Sequence, residues 1–435
     1  MNRPLLLTAA AAVLALGACS RPDFGPEQQQ GSAPRLPDPH QFLFPPMLIT
    51  TPVGWKAGET PTAPAGFTVT ALASGLRGPR NILPLPNGDV LAVEAGGPSG
   101  APVTRPKDLI YGLVIGKAHS PVEAGNRVVL LRDANGDGVA EQQIVLIDHL
   151  HSPFGIVRVG DALYVAETDK IVRYTFTPGQ TRLTAPGVVL TELPAGPIDH
   201  HWTKSLTASA DGSKLYVGIG SNSNIVERGI GAELDRARIW EVDAATGAHR
   251  PYATGLRNPN GLTLEPVTGQ LWTVVNERDE IGNNLVPDYM TSVKDGAFYG
   301  WPWSYYGAHV DVRVSPRRPD MVARAIAPDF ALGSHVAALG LTFNTSPAFP
   351  ARYAGGAFIG EHGSWDRTVP SGYQVAFVPF AGGRPAGKAE TFVGGFLDKD
   401  NHTRGRPVSV AFDRTGALLI ADDVGNAVWR VAATR

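Results

Sequence analysis

From about residue 67 this chain says the same thing six times, and that repetition limits its fold more than any other feature. Each copy is an alternating strand, a tight polar turn and a second apolar strand. The paired runs are 79–85 and 90–94, 153–157 and 162–166, 205–208 and 215–218, 260–264 and 271–274, 339–343 and 356–360, and 407–411 and 417–421. Turns such as Asn87-Gly88, Asp211-Gly212, Thr268-Gly269 and Thr415-Gly416 supply the positive-φ residues that two-stranded hairpins need. Units spaced by roughly 50 to 80 residues fit propeller blades of about 40 to 50 residues plus insertions. Trailing runs at 171–174 and 239–242 read as third strands. Residues 67–70 are expected beside 428–431, joining the first strand to the last blade so that no sheet edge is left open. The expectation is an all-β, six-bladed β-propeller over 66–435 with loop insertions after the first and fourth repeats. A pair of packed sandwiches is the alternative.

Composition agrees. With 50 glycines and 37 prolines in 435 residues, short strands and turns are favoured over long helices. The net charge of −2 offers no basic field for nucleic acid.

Residues 1–18 have the form of a signal peptide. Arg3 precedes an apolar run from Leu5 to Leu16, too short to span a bilayer comfortably, and the run ends in Leu16-Gly17-Ala18-Cys19. That ending resembles a bacterial lipoprotein signal, which implies lipidation of Cys19; an ordinary secretory signal is the alternative. Ser20 after the cysteine resembles outer-membrane sorting. The expectation is a periplasm-facing protein held to the membrane by a lipid anchor only. Cys19 is the single cysteine, so no intramolecular disulfide can form. Residues 19–65, rich in proline and glutamine, read as a tether with little regular structure.

The non-repetitive motifs carry the chemistry. His200-His201 precedes the third repeat, Arg257-Asn258-Pro259-Asn260 enters the fourth, Asn276-Glu277-Arg278-Asp279-Glu280 follows it, and Arg404-Gly405-Arg406 enters the sixth. Together they offer a proton acceptor, fixed cations and an acidic, carbonyl-rich turn. Such a set suits a redox enzyme built around an anionic cofactor and a metal ion. Separately, Asp133-Ala134-Asn135-Gly136-Asp137-Gly138 matches the first half of a calcium loop, with oxygen ligands at positions one, three and five. Ile144 stands where an EF-hand needs its glutamate, so Asp133, Asn135 and Asp137 are candidates for a structural calcium site or members of a hairpin turn. Rossmann, Walker, His-Glu-x-x-His and Gly-x-Ser-x-Gly signatures are absent.

These motifs, with Tyr299-Gly300-Trp301-Pro302 and Gly363-Ser364-Trp365-Asp366-Arg367, resemble the quinoprotein glucose/sorbosone dehydrogenase family, and its sorbosone-type branch more closely. The resemblance spans about residues 65 to 433. It implies pyrroloquinoline quinone (PQQ) and calcium as cofactors, and a sugar or related hydroxyl or aldehyde compound as substrate. His201 would be the base. Arg257, Asn258, Asn260, Arg367, Arg404 and Arg406 would contact the cofactor. Backbone carbonyls of Asn276, Glu277, Arg278 and Asp279 would hold calcium. His200 stands where glucose dehydrogenases have aspartate, with Asp199 as a substitute carboxylate. Lys204-Ser205 and Asn260 depart from their Gly-Arg and Gln, which puts glucose itself in doubt. One cysteine excludes an attached c-type haem, so an external periplasmic electron acceptor is implied. The rivals are a calcium-dependent, lactonase-like propeller hydrolase and a non-catalytic ligand-binding propeller.

Overall fold

The structure is a computed structural model that describes residues 25–41, 47–98, 102–103, 105, 108, 120 and 122–434. Six four-stranded antiparallel sheets form the ring expected of a six-bladed propeller. Blade one is built from Pro79–Pro84, Val90–Glu94, Arg127–Arg132 and Gln142–Ile147. Blade two uses Gly155–Val159, Ala162–Ala166, Lys170–Thr175 and Val188–Glu192. Blade three uses Leu206–Ala208, Lys214–Ile219, Arg238–Asp243 and His249–Thr254. Blade four uses Pro259–Leu264, Leu271–Val275, Pro287–Ser292 and Phe330–Ser334. Blade five uses Ala338–Phe343, Ala357–Glu361, Gln374–Val378 and Glu390–Val393. Blade six takes Pro407–Phe412, Leu418–Asp422 and Ala427–Ala433 from the end of the chain and Phe67–Ser74 from its start. Val69 pairs with Val431 and Thr70 with Arg430, the closure the sequence pattern predicts.

Second strands are covered on both faces, which is why they read as unbroken apolar runs rather than alternating ones. All five residues of Val90–Glu94, Leu271–Val275 and Leu418–Asp422 are buried. Near the axis the blades crowd together. A Cβ on Gly340 would come within 2.3 Å of the Val408 carbonyl, and one on Gly360 within 2.0 Å. Only glycine lets blades five and six approach this closely.

Inner strands begin, and second strands end, on one rim of the ring. Three blades fix that rim in the same way. A carboxylate at or just after the end of the second strand accepts a backbone N–H from the turn leading into the inner strand. Glu94 accepts from Arg77 at 2.8 Å, Glu167 from His151 at 2.5 Å and Asp422 from Arg406 at 2.7 Å. The excursion between the third and fourth strands of blade four climbs back to this rim, where Asp311 pairs with Arg278 at 2.7 Å.

The described part of the stretch expected to be a tether is not loose; it straps the propeller. Gln29 donates to Asn284 at 3.0 Å, Gly31 bridges to Ala331, and Thr62 bridges to Gly394. Trp55 packs edge-on against Trp429 and Phe396. Isolated anchors such as Gln29, Thr50 and Trp55 leave no periodicity, so proline-rich composition concealed them. Residues 1–24, with Cys19 and the signal segment, lie outside the described residues. No helix among the described residues is long and apolar enough to cross a membrane.

Candidate active site

His201 lies on the rim beside the exit of blade three's second strand. Its Nδ1 is 2.9 Å from the Ser221 carbonyl and 3.0 Å from the Ser221 hydroxyl. A carbonyl oxygen only accepts, so Nδ1 carries the proton and Nε2 keeps its lone pair. Burial, the Arg257 guanidinium and His200 together push the pKa of His201 well below the usual imidazole value. The ring is therefore a neutral base at neutral pH, held in one tautomer. Asp199 does not orient it; that carboxylate pairs with Arg236. Gly220 makes room for the arrangement, because a Cβ there would sit 2.4 Å from His201 Cβ and 2.5 Å from Asn258 Oδ1.

Arg257 is buried, and its guanidinium is spent on the turn after blade four's second strand. It donates to the carbonyls of Asn276 (3.2 Å), Glu277 (2.7 Å) and Asn224 (3.3 Å), and to Asp279 Oδ2 at 2.9 Å. The Trp301 indole braces the Asn224 carbonyl at 3.0 Å, and the Asp279 carbonyl accepts from Asn224 at 3.1 Å. The turn expected to offer free carbonyls to calcium thus already faces a fixed cation. Arg278 points away, paired with Asp311, and is buried. Unpartnered acceptors do remain around the turn: Asn258 Oδ1, Asn260 Oδ1 and Glu277 Oε1. Asn258 Nδ2 is held by Asn276 at 3.1 Å and Asn260 Nδ2 by the Asn258 carbonyl at 3.3 Å.

A cavity of about 460 Å³ opens between the rims of blades one and six. Arg80, Arg406, His362, Asp423, Trp202 and Trp365 line it. Arg80 donates to Asp423 at 2.7 Å and lies 5.3 Å from the centre of the Trp202 ring. Arg406 reaches Tyr373 Oη at 3.1 Å and Thr50 Oγ1 at 3.3 Å, and donates to His362 Nδ1 at 3.4 Å. His362 Nε2 meets Asp423 at 3.0 Å. Burial pushes His362 down to about 4, with Arg406 and Arg80 adding to the effect. Burial would raise Asp423, but His362 and Arg80 hold its carboxyl below the usual range. At neutral pH the inner wall therefore carries two guanidinium charges against one carboxylate. The Nε groups of both Arg80 and Arg406 are buried without a hydrogen-bond partner.

Not every expected residue joins this site. Arg404 lies against the strap, 3.8 Å from Glu59 and 5.9 Å from the Trp55 ring centre. Arg367 donates to the carbonyls of Asn283 (2.6 Å) and Val369 (3.0 Å) and lines a separate cavity beside Gln29 and Gln30. The Asp133, Asn135 and Asp137 loop joins the outer two strands of blade one. Oxygens of Asp133, Asp137 and Glu141 lie within 4.8 Å of one another, yet Asp133 also accepts from Gly136 and Gly138, Asp137 from Val139 and Glu141 from Ala134. Sequence reasoning missed His362, Asp423 and Ser221. The shared position of His362 and Asp423, each just past the end of a second strand, was the signal that could have found them.

The fold and site define a propeller with a cation-lined rim cavity and a fixed histidine, His201, one residue before the Trp202 of the cavity wall. A TrAA12-like family profile matches residues 121–294 and 318–434, and a glucose/sorbosone dehydrogenase profile matches 240–364. The chain belongs to the TrAA12-like family. An uncharacterised protein of Borreliella burgdorferi is 27% identical over 292 residues, covering 65% of this chain and 76% of its own. Among solved structures, the PQQ domain of Coprinopsis cinerea pyranose dehydrogenase, in its holo form, shares the fold with a TM-score of 0.68 at 18% identity, covering 88% of this chain and 100% of that one. The calcium structure of the Trichoderma reesei family AA12 carbohydrate-active enzyme gives 0.67 at 19%, covering 89% and 99%. The PQQ-bound aldose sugar dehydrogenase of Streptomyces coelicolor gives 0.53 at 16%, covering 85% and 99%.

Proposed function

We propose that this protein is a PQQ- and calcium-dependent oxidoreductase that oxidises a sugar or related hydroxyl or aldehyde compound. Its family relation to sugar dehydrogenases supports an oxidoreductase. The observation that carries the cofactor reading is the rim cavity, which Arg80 and Arg406, each with an unpartnered Nε, line together with the indoles of Trp202 and Trp365. A planar aromatic tricarboxylate matches those walls in charge and shape, and about 460 Å³ falls within the roughly 300–1,000 Å³ of small-molecule sites. Arg80 and Arg406 would hold its carboxylates, with Trp202 and Trp365 against its faces. When bound, the quinone supplies a two-electron acceptor for hydride.

His201 Nε2 takes the proton of the substrate hydroxyl as hydride leaves the same carbon. The Ser221 carbonyl stabilises the resulting imidazolium through the Nδ1 proton. Asn258 Oδ1, Asn260 Oδ1 and Glu277 Oε1 are the oxygens available to a hard cation, in place of the turn carbonyls that Arg257 occupies. A cation-lined cavity receives an anionic cofactor better than the bare central cation of a propeller hydrolase. We extend the proposal to location: lipidation at Cys19 would hold the propeller on the periplasmic side of the membrane, where reduced cofactor passes electrons to an external acceptor.

The test is titration of the full-length protein with PQQ, with and without calcium, followed by dye reduction across aldoses and aldehydes. Calcium-dependent binding with dye reduction supports the reading. Failure to bind quinone in either condition overturns it.

A further inference from the structure

On the far side of Arg257 from His201, three side chains from two blades converge on one point of the rim. Asp279 lies in the turn after blade four's second strand. His335 links the last strand of blade four to the first of blade five. Asp366 follows blade five's second strand. A carboxylate oxygen from each aspartate and a ring nitrogen of His335 lie within 4.8 Å of one another. His335 and Asp366 are 4% and 1% exposed.

Each of the three is gripped from its far side. His335 Nε2 meets the Gly282 carbonyl at 3.0 Å, Asp366 Oδ2 accepts the Glu280 N–H at 2.6 Å, and Asp279 Oδ2 accepts from Arg257 at 2.9 Å. Three atoms are left over from those contacts: His335 Nδ1, Asp279 Oδ1 and Asp366 Oδ1. The Gly282 carbonyl requires the His335 proton on Nε2, so in the neutral ring Nδ1 presents a lone pair to Asp279 Oδ1, 3.2 Å away. Asp366 Oδ1 is buried and has no hydrogen-bond partner at all. A proton on Nδ1 would satisfy the Asp279 contact alone and leave Asp366 Oδ1 unmatched. A single cation among the three satisfies every lone pair at once.

We propose that Asp279, His335 and Asp366 bind one divalent first-row transition cation, of the Zn²⁺ or Mn²⁺ type, clamping blade four to blade five. The imidazole decides the class, because calcium and magnesium take oxygen ligands whereas imidazole with carboxylates suits first-row metals. The backbone carbonyl on Nε2 is the outer contact that metal-bound histidines use to fix their tautomer. Because Asp279 also holds Arg257, the clamp positions the turn behind the active site. This inference concerns a different ion from the cofactor calcium and does not depend on PQQ.

The test uses metal-stripped full-length protein dialysed against ZnCl₂ or MnCl₂ and analysed by mass spectrometry for metal. About one equivalent is expected to resist dialysis. His335→Gln and Asp366→Asn should each weaken it roughly tenfold or more. Two other clusters, Asp133 with Asp137 and Glu141 and Asp398 with Asp400 and His402, are less buried, and Asp133→Asn and Asp398→Asn should leave that equivalent in place. No uptake, or uptake unchanged in both His335→Gln and Asp366→Asn, overturns the proposal. Should those variants fail to fold, a histidine ¹⁵N spectrum of His402→Gln, which removes the histidine of the Asp398 cluster, decides. With Zn²⁺ it must show one imidazole ligated through Nδ1 and protonated on Nε2. A spectrum without such a ring also overturns the proposal.

Discussion

Arg80 and Asp423 stand 343 positions apart in the chain and 2.7 Å apart on the rim, where one carboxylate ties blade one to blade six. The same carboxylate takes the His362 Nε2–H, which turns Nδ1 toward Arg406. Arg406 is thus held by a chain of contacts in the cavity wall, while its Nε has no hydrogen-bond partner. Arg406→Ala should weaken PQQ binding by about tenfold to a hundredfold, the worth of roughly 1.5–3 kcal/mol for a hydrogen bond to a charged group. Arg406→Lys should recover little, because an ammonium cannot reproduce the fork that meets Tyr373, Thr50 and a carboxylate together. Titration calorimetry reads both, and unchanged affinity in Arg406→Ala would remove this residue from the cofactor site.

The base proposed at His201 has its own signature. With the His201 pKa well below the usual imidazole value, the lone-pair form persists through mildly acidic pH. Turnover per bound substrate should stay flat from neutral pH downward past 6.5, the ordinary histidine value, and fall only as pH drops through the lowered pKa. His201→Gln should lose about 10²- to 10⁴-fold in kcat while still binding quinone. A rate that falls with an ordinary histidine midpoint would contradict the buried-base assignment.

Gly220 tests whether the position of His201 matters as much as its chemistry. The Cβ of Gly220→Ala would meet His201 Cβ and Asn258 Oδ1 well inside van der Waals distance. Relief requires both side chains to move, at a stability cost of about 1–3 kcal/mol. A displacement of roughly 1 Å in a reacting group can cost about a hundredfold in rate. Steady-state kinetics should show kcat falling far more than thermal stability. Equal and small losses in both would mean the base is not held through this contact.

What the sequence disclosed follows from locality. Hairpins at 79–94 or 407–422 announce themselves because their turns and alternation lie within about twenty residues of each other. The closing pair of Val69 and Val431 was legible because a ring demands it. Side-chain pairing across blades has no such rule. Arg257 could be named as a cation, yet nothing in Arg257-Asn258 says its guanidinium faces the carbonyls of Asn276 and Glu277 instead of a ligand. Arg404 and Arg406 look equivalent in sequence; the non-repetitive turn before Pro407–Phe412 sends one to the strap and the other to the cavity. His335 carries no motif at all, and its role depends on two aspartates from other loops.

Glu361 breaks the pattern of its rim. Glu94, Glu167 and Asp422 accept backbone N–H groups there, but Glu361 has only Gln374 on Oε2 and nothing on Oε1. Burial pushes its pKa up to about 8; the Gln374 hydrogen bond opposes this and the Asp288 charge adds to it. The unfolded chain ionises this group near pH 4.5 and the folded protein near 8. Below that window both states are protonated and the group costs nothing. As pH rises through it, the unfolded state loses its proton first and stability declines, by an upper bound on the order of 3–5 kcal/mol. Glu361→Gln should therefore match the parent near pH 5 and melt at progressively higher temperature than the parent toward pH 8. A melting-temperature difference that does not change with pH would show that the carboxylate is not held protonated.

Trp55 separates a strap from a tether. Its indole packs against Trp429 and Phe396 and donates to Asp422 Oδ2 at 2.8 Å. Asp422 Oδ1 in turn receives the backbone N–H of Arg406 at 2.7 Å. A residue 351 positions before Arg406 therefore helps to seat the backbone of an arginine that lines the rim cavity. Trp55→Ala should cost about 3 kcal/mol, at the lower end of large aromatic truncations because the ring is only half-buried. Trp55→Phe keeps the ring contacts and loses one hydrogen bond, so about 1 kcal/mol is expected. Denaturant melts separate the two, and quinone affinity should fall with Trp55→Ala more than with Trp55→Phe. If the segment were only a flexible leash, neither substitution would move the denaturation midpoint, and the contacts of Trp55 would be incidental to the cavity.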